Sequence, residues 1–226
     1  MALKVYYDLM SQPARSLIIY LKYCKIPFTE CPIALRNGEH LSEDYAKINR
    51  FKKVPAIDHN GFKLAESVAI FRYISREFPA AEKLYPKNSQ SQAKIDEFLE
   101  WHHINLRGSA AMYFMTKAIL PRMTGKPVDE NQLKSYGKKI EEAVNTIETL
   151  FIRNQPFLTG NEISVADVLA ACELEQPLSV GYDIYGGHEK MSEWMKRVQN
   201  ALQPYYNEVH AIVHKIGKNY PTKSKM

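Results

Sequence analysis

Leu3-Lys4-Val5-Tyr6-Tyr7-Asp8-Leu9-Met10-Ser11-Gln12-Pro13-Ala14-Arg15 is the stretch that decides the fold. Its first five residues alternate and are rich in β-prone side chains. Pro13 then stands where a helix takes its first turn, a position at which a missing N–H costs nothing. Beyond it Leu17, Ile18, Leu21 and Tyr23 recur at helical spacing, with polar Arg15 and Lys22 between them. The segment therefore reads as strand, short loop and amphipathic helix. Ser11 falls at the helix N-terminus, where unpaired backbone N–H groups and the positive end of the dipole favour negative charge. Taken alone it is an ordinary helix cap, although a hydroxyl there can point either at its own backbone or at a ligand.

Working outward, residues 28–33 form a second β-prone stretch, entered by Ile26-Pro27 and followed by the polar loop Arg36-Asn37-Gly38-Glu39-His40 and a short helix from Ser42. Lys53-Val54-Pro55-Ala56-Ile57-Asp58 leads into a strand, His59-Asn60-Gly61 is a turn signal, and Phe62-Lys63-Leu64 returns, which makes a hairpin. Glu66-Ser67 opens a helix that ends near Phe78-Pro79. The order βαβ, short helix, ββα predicts a mixed α/β first domain over residues 1–79. Residues 80–90 lack sustained periodicity and read as a linker. Residues 91–226 read as all-helical, on spacings such as Ile95, Phe98, Leu99 and His102, then Leu133, Tyr136, Ile140 and Val144. A last helix starts at Pro204. Ile163-Ser164-Val165-Ala166-Asp167 resembles a capping box, so Asp167 is expected to be structural.

Composition narrows the function classes. A chain of 226 residues buries a sizeable core, and its 45% hydrophobic content lies in short periodic runs far below a membrane span. With no signal-peptide pattern, a soluble, cytoplasmic protein without a membrane partner is expected. Cys24, Cys31 and Cys172 form no C-x-x-C pair, and His102-His103 point in different directions on a helix, so neither a disulfide framework nor a metal site is expected. A net charge of +5 with interleaved acids argues against nucleic acid. Ser224-Lys225-Met226 is a weak variant of a peroxisomal address, and the tail reads more simply as a solvated end.

The assembled pattern resembles the glutathione transferase family over nearly the whole chain, and within it the theta class, with an insect-like short C-terminus. Five motifs carry this in order: residues 6–16, Ile26-Pro27-Phe28, Asn37-Gly38-Glu39-His40-Leu41, Lys52-Lys53-Val54-Pro55-Ala56, and Glu66-Ser67-Val68-Ala69-Ile70. Phe157-Leu158-Thr159-Gly160 with residues 163–167 also fits. The resemblance implies a thioredoxin-like first domain, a helical second domain, a homodimer, and glutathione as co-substrate with a small hydrophobic electrophile as partner.

Carried over residue by residue, the resemblance implies that Ser11 donates a hydrogen bond to the glutathione sulfur and favours thiolate over thiol. Val54-Pro55 matches a cis peptide that presents the Val54 backbone to the cysteinyl residue. Glu66 and Ser67 match a γ-glutamyl clamp; His40 and Lys53 face the glycyl carboxylate; Gln12 supports through its amide. Arg15 braces the first helix or, alternatively, tunes the sulfur from within a small cleft. The electrophile pocket is implied to contain Ile104, Arg107, Ala111, Met112 and Met115, with Arg107 near the leaving group or, alternatively, in a domain-bridging salt link. Ile104 and Asn105 stand where some theta members carry an acid that reaches the partner's glutathione, and the short C-terminus implies a more open site. Tyr6 or Tyr7 is the competing catalytic group, since other classes use a tyrosine near the end of the first strand, and the Ser-Gln-Pro context favours Ser11. A non-catalytic relative that binds hydrophobic ligands or partner proteins is the alternative to an enzyme. Retention of Ser11, Pro55, Glu66 and Ser67 together favours the enzyme.

Overall fold

The computed structural model of the protein describes residues 3–220, so the peroxisome-like tripeptide lies outside the described residues. The first half runs β1 (Leu3–Tyr7), α1 (Gln12–Tyr23), β2 (Thr29–Pro32), α2 (Glu43–Ala46), β3 (Ala56–His59), β4 (Phe62–Ala65) and α3 (Ser67–Glu77). The four strands form one sheet in the order β2-β1-β3-β4. β1 pairs parallel with β2, with Val5 opposite Glu30, and antiparallel with β3, with Val5 opposite Ile57. A parallel neighbour requires a crossover, and α1 supplies it. The hairpin turns at Asn60 and Gly61, both with positive φ, where Gly61 N donates to Asp58 Oδ1 at 2.7 Å.

The rest is helical: α4 (Ser89–His102), α5 (Gly108–Phe114), α6 (Leu120–Thr124), α7 (Glu130–Thr146), α8 (Val165–Leu178), α9 (Glu189–Ala201) and α10 (Tyr205–Gly217). Wide π-type stretches at His103–Arg107 and Met115–Ile119 join α4, α5 and α6 into one long helical run. The segment between the halves is packed down: Ala81 and Leu84 are fully buried, and the Leu84 carbonyl accepts from Val165 N at 2.8 Å. The helix α9 has no counterpart among the elements expected from the sequence. Its Met191, Trp194, Met195 and Val198 are buried at i, i+3, i+4 and i+7.

The two halves share one hydrophobic core, and α1 is its centre. Every residue of α1 from Gln12 to Leu21 is buried, because the helix packs against α3 and also against α8 and α10. Leu17, Ile19 and Leu21 have 0% exposure, and each such burial contributes about 1.5–3 kcal/mol. α8 is likewise buried along nearly its whole length. It opens on a true capping box, with Ser164 N donating to Asp167 Oδ2 at 2.9 Å. Asp167 Oδ1 also accepts from Leu158 N and from the Trp194 indole at 2.8 Å, so this acid ties α8 to α9 and the preceding loop. Burial pushes the Cys24 and Cys172 thiols up to about 12. Among the described residues no helix is long and apolar enough to cross a membrane, and no group of His, Cys, Asp or Glu is placed to hold a metal ion.

Candidate active site

The loop between β1 and α1 is fixed from both sides. Asp8 accepts from Met10 N at 2.8 Å and from Leu35 N at 2.9 Å, and its carbonyl accepts from Ser11 N at 2.9 Å. Arg15 on α1 acts as a fork toward the helical half: Nη1 donates to Leu9 O at 2.7 Å, while Nη2 donates to Cys172 O at 3.1 Å and Gln176 Oε1 at 2.6 Å. Gln176 in turn donates to Met10 O at 3.4 Å. Arg15 is wholly buried; desolvation lowers its pKa, and the neighbouring Cys172, Glu173 and Glu175 oppose that shift.

Ser11 occupies the N-cap position of α1 with extended dihedrals (φ −85°, ψ 123°), yet its side chain makes no capping hydrogen bond. The hydroxyl instead donates across the fold to Val54 O at 3.4 Å. The Val54–Pro55 peptide is cis, and the loop before it is braced through Lys53 O, which accepts from Tyr45 OH at 2.8 Å and Asn49 Nδ2 at 2.6 Å. Glu66, just ahead of α3, takes φ 67°, a left-handed conformation costly for a side chain with a Cβ.

Two cavities meet around this serine and its Val54 partner. The smaller, about 480 Å³, is lined by Lys53, Val54, Pro55, Glu66, Ser67 and Arg107. The larger, about 880 Å³, is lined by Ser11, Gln12, His40, Ala111, Met115 and Gln176, among others. Gln12 Nε2 and His40 Nδ1 are buried without a hydrogen-bond partner, and such orphaned polar atoms cost about 1–3 kcal/mol each unless something satisfies them.

Three of the expected electrophile-pocket residues lie elsewhere. Ile104 is 81% exposed and lines a separate groove with Trp101 and Tyr136. Met112 lines neither cavity. For Met112 the reason is angular: it lies about 100° around the helix from Ala111, which does line the larger cavity. Arg107 lines the smaller cavity rather than the apolar one. Its Nη1 donates to Glu173 Oε1 at 2.5 Å, and because both residues belong to the helical half, this ion pair is not domain-bridging. The larger cavity is instead completed by Phe114, Ile119 and, from α10, Ile212 and Ile216. Gln176 is a further site residue that the sequence motifs do not single out; the signal for it is the polar run Glu173, Glu175 and Gln176 inside an otherwise apolar helix. Tyr7 donates to Glu30 Oε2 at 2.6 Å and Tyr6 stacks edge-on with Tyr45, and neither tyrosine lines either cavity.

The family model described as "Glutathione S-transferase, N-terminal domain" matches residues 1–76, and that described as "Glutathione S-transferase, C-terminal domain" matches residues 104–201. The chain is 38% identical over 216 residues to glutathione S-transferase theta-3 of Mus musculus, a match covering 95% of this chain and 90% of the relative. Human glutathione-S-transferase T1-1 in its apo form shares the fold with a TM-score of 0.91 at 36% identity, covering 97% of this chain and 92% of that one. Human glutathione transferase theta-2, solved in complex with glutathione and an unknown ligand, gives a TM-score of 0.91 at 30% identity, covering 96% and 89%. Sequence in both halves and backbone over nearly the full length agree: the chain belongs to the glutathione S-transferase family, in its theta class.

Proposed function

We propose that this theta-class glutathione transferase binds glutathione across the smaller cavity and directs its sulfur past Ser11 into the larger one. Val54 pairs through its backbone with the cysteinyl residue, held in place by Pro55. Glu66 and Ser67 take the γ-glutamyl end, the helix N-terminus at Ser67 favouring its carboxylate. Lys53 and His40 take the glycyl carboxylate, and Gln12 offers its unpaired amide. Ser11 donates its hydroxyl hydrogen to the sulfur. A free thiol titrates near about 8.5, so each unit of lowering multiplies the thiolate present at neutral pH roughly tenfold. With a halide or an epoxide the thiolate forms a carbon–sulfur bond with its own electron pair while the carbon–halogen or carbon–oxygen bond breaks. The pair of the broken bond leaves as halide or stays on an alkoxide that takes up a proton. With a hydroperoxide the thiolate attacks oxygen, giving a sulfenic acid and an alcohol, and a second glutathione turns the sulfenic acid into disulfide and water. Organic halides, epoxides and peroxides are the electrophile class, received against Ala111, Phe114 and Met115.

One observation carries this reading: the Ser11 hydroxyl does not cap its own helix but reaches the carbonyl of the cis Val54–Pro55 peptide, where the two cavities meet. A homodimer, a cytoplasmic location, and a boundary within residues 80–90 between a glutathione-binding domain (1–79) and a helical domain (91–226) belong to the same proposal. Absorbance titration of bound glutathione tests it. A thiol that loses its proton one or more pH units below that of free glutathione is the expected result; titration as in water removes the mechanism.

A further inference from the structure

The larger cavity has a one-sided chemistry. Its body is apolar, and part of that surface lies open, with Met123 74% and Ile212 39% exposed. Around it stand three cations: Arg36 from the loop after β2, Arg122 from α6 and Lys215 from α10. Among the described residues no Asp or Glu lines the cavity, and none of the three cations has a carboxylate partner within ion-pair distance. Among the described residues Arg122 has a hydrogen bond to the Tyr220 hydroxyl, at 3.4 Å.

The smaller cavity is built the other way. Its Arg72 is bound to Asp96 and Glu100, its Arg107 to Glu173, and Glu66 stands in the same lining. Three like charges beside exposed apolar surface repel one another, and their shared field attracts an anion. Their long stems lie along apolar surface while the charged heads stay in water, which suits a ligand with an apolar body and an ionised end. Glutathione does not account for them, since its glycyl carboxylate is assigned to Lys53 and His40, and Arg122 and Lys215 come from the helical half.

Resting on the transferase reading above, we infer that the electrophile taken by this cavity is an amphipathic anion: an apolar body whose reactive carbon faces Ser11, and whose carboxylate or similar group faces Arg36, Arg122 and Lys215. The anionic group is not the leaving group. It passes unchanged into the conjugate while the sulfur displaces a halide or opens an epoxide at the other end.

Conjugate binding tests this without relying on turnover. Calorimetry would compare S-(para-carboxybenzyl)glutathione, its para-carbamoyl counterpart and S-methylglutathione, in the wild-type protein and in the Arg122→Gln/Lys215→Gln double variant. At low salt the carboxylate should bind about threefold to tenfold tighter than the amide, and the ratio should fall toward one at about 0.5 M salt and in the double variant. Equal affinities for acid and amide in the wild type, with S-methylglutathione bound, overturn the inference and leave the transferase reading intact. A double variant that weakens all three ligands alike overturns it as well, because the cations then serve glutathione itself. Failure of the wild type to bind S-methylglutathione overturns the glutathione reading and this inference with it. If the double variant does not fold, the salt dependence of the wild-type ratio decides.

Discussion

On the strand-and-loop wall of the cleft, Asp8 and Arg15, with Gln176 reaching over from α8, hold the backbone of residues 8–11 through hydrogen bonds between 2.7 and 3.4 Å. On the helical wall, Met115, Met123, Ile212 and Ile216 present apolar surface, much of it open, with no comparable lattice of polar contacts. The first wall fixes one hydroxyl in one place. The second offers area and charge, neither of which demands a unique pose. The contrast teaches that reaction and selectivity are carried by different physics here: directional bonds that fail when one partner moves, and summed burial that degrades gradually.

The sharpest way to break this comparison is at Ser11. Ser11→Ala should lower kcat/KM about a hundredfold to a thousandfold, the usual cost of losing one donor to a developing or stabilised anion, whereas Tyr6→Phe should stay within about twofold. A reversed order would move the chemistry to the tyrosine and dissolve the contrast. Next comes the support. Arg15→Met leaves the Leu9 and Cys172 carbonyls and the Gln176 amide without their donor inside the core, so urea unfolding should show a loss of about 3–5 kcal/mol. Gln176→Leu keeps most of the packing and removes one partner, with an expected loss of about 1–2 kcal/mol and a lower kcat at nearly constant KM.

Away from the cleft, the helical half has a fixed point of its own in buried His188, whose Nδ1 lies 2.8 Å from Glu148 and whose Nε2 lies 2.9 Å from Glu141. Burial alone would lower its pKa, but hydrogen bonds to Glu148 and Glu141 outweigh that and raise it above the ordinary imidazole value. The folded state then holds the proton more tightly than the unfolded chain. Its contribution is complete below about pH 6.5 and is lost as pH rises through the higher folded value. Unfolding free energies measured across that window should fall by on the order of 1 kcal/mol, and His188→Gln should flatten the profile. The smallest effect belongs to the permissive wall: Ile212→Ala should raise KM for an apolar electrophile only about twofold to fivefold, with kcat and thermal stability little changed. A large loss of kcat there would show that this wall also positions the reaction.

Much of the first half is legible in the sequence because its signals are local. Pro13 and the apolar spacing that follows mark α1, and His59-Asn60-Gly61 marks the hairpin. The residues around Ser11 are legible only together, since each alone is also a cap, a turn or a solvated charge. The helical wall is harder to read for two physical reasons. A π-type turn, such as the one at His103–Arg107 that contains Ile104, leaves no trace in hydrophobic periodicity but shifts the angular register of the residues that follow it. The contributions of Gln176, Ile212 and Ile216 depend on how α8 and α10 dock on α1, and spacing within a single helix carries no information about docking. The helix α9 does have a local signal, the spacing of Met191, Trp194, Met195 and Val198, although none of the motifs points to it.

The reach of Arg15 also bears on how the chain is made. Its partners Cys172 and Gln176 lie 157 and 161 residues downstream. While the protein is being synthesised, the strands and α1 leave the ribosome long before α8 exists, with a guanidinium on α1 that has nothing to bury it against. The thioredoxin-like half therefore waits, its central helix half-wet and its Ser11 loop untied, until translation has passed residue 176. In this chain the Ser11 hydroxyl is among the last things to be put in place, although its residue is among the first to be made.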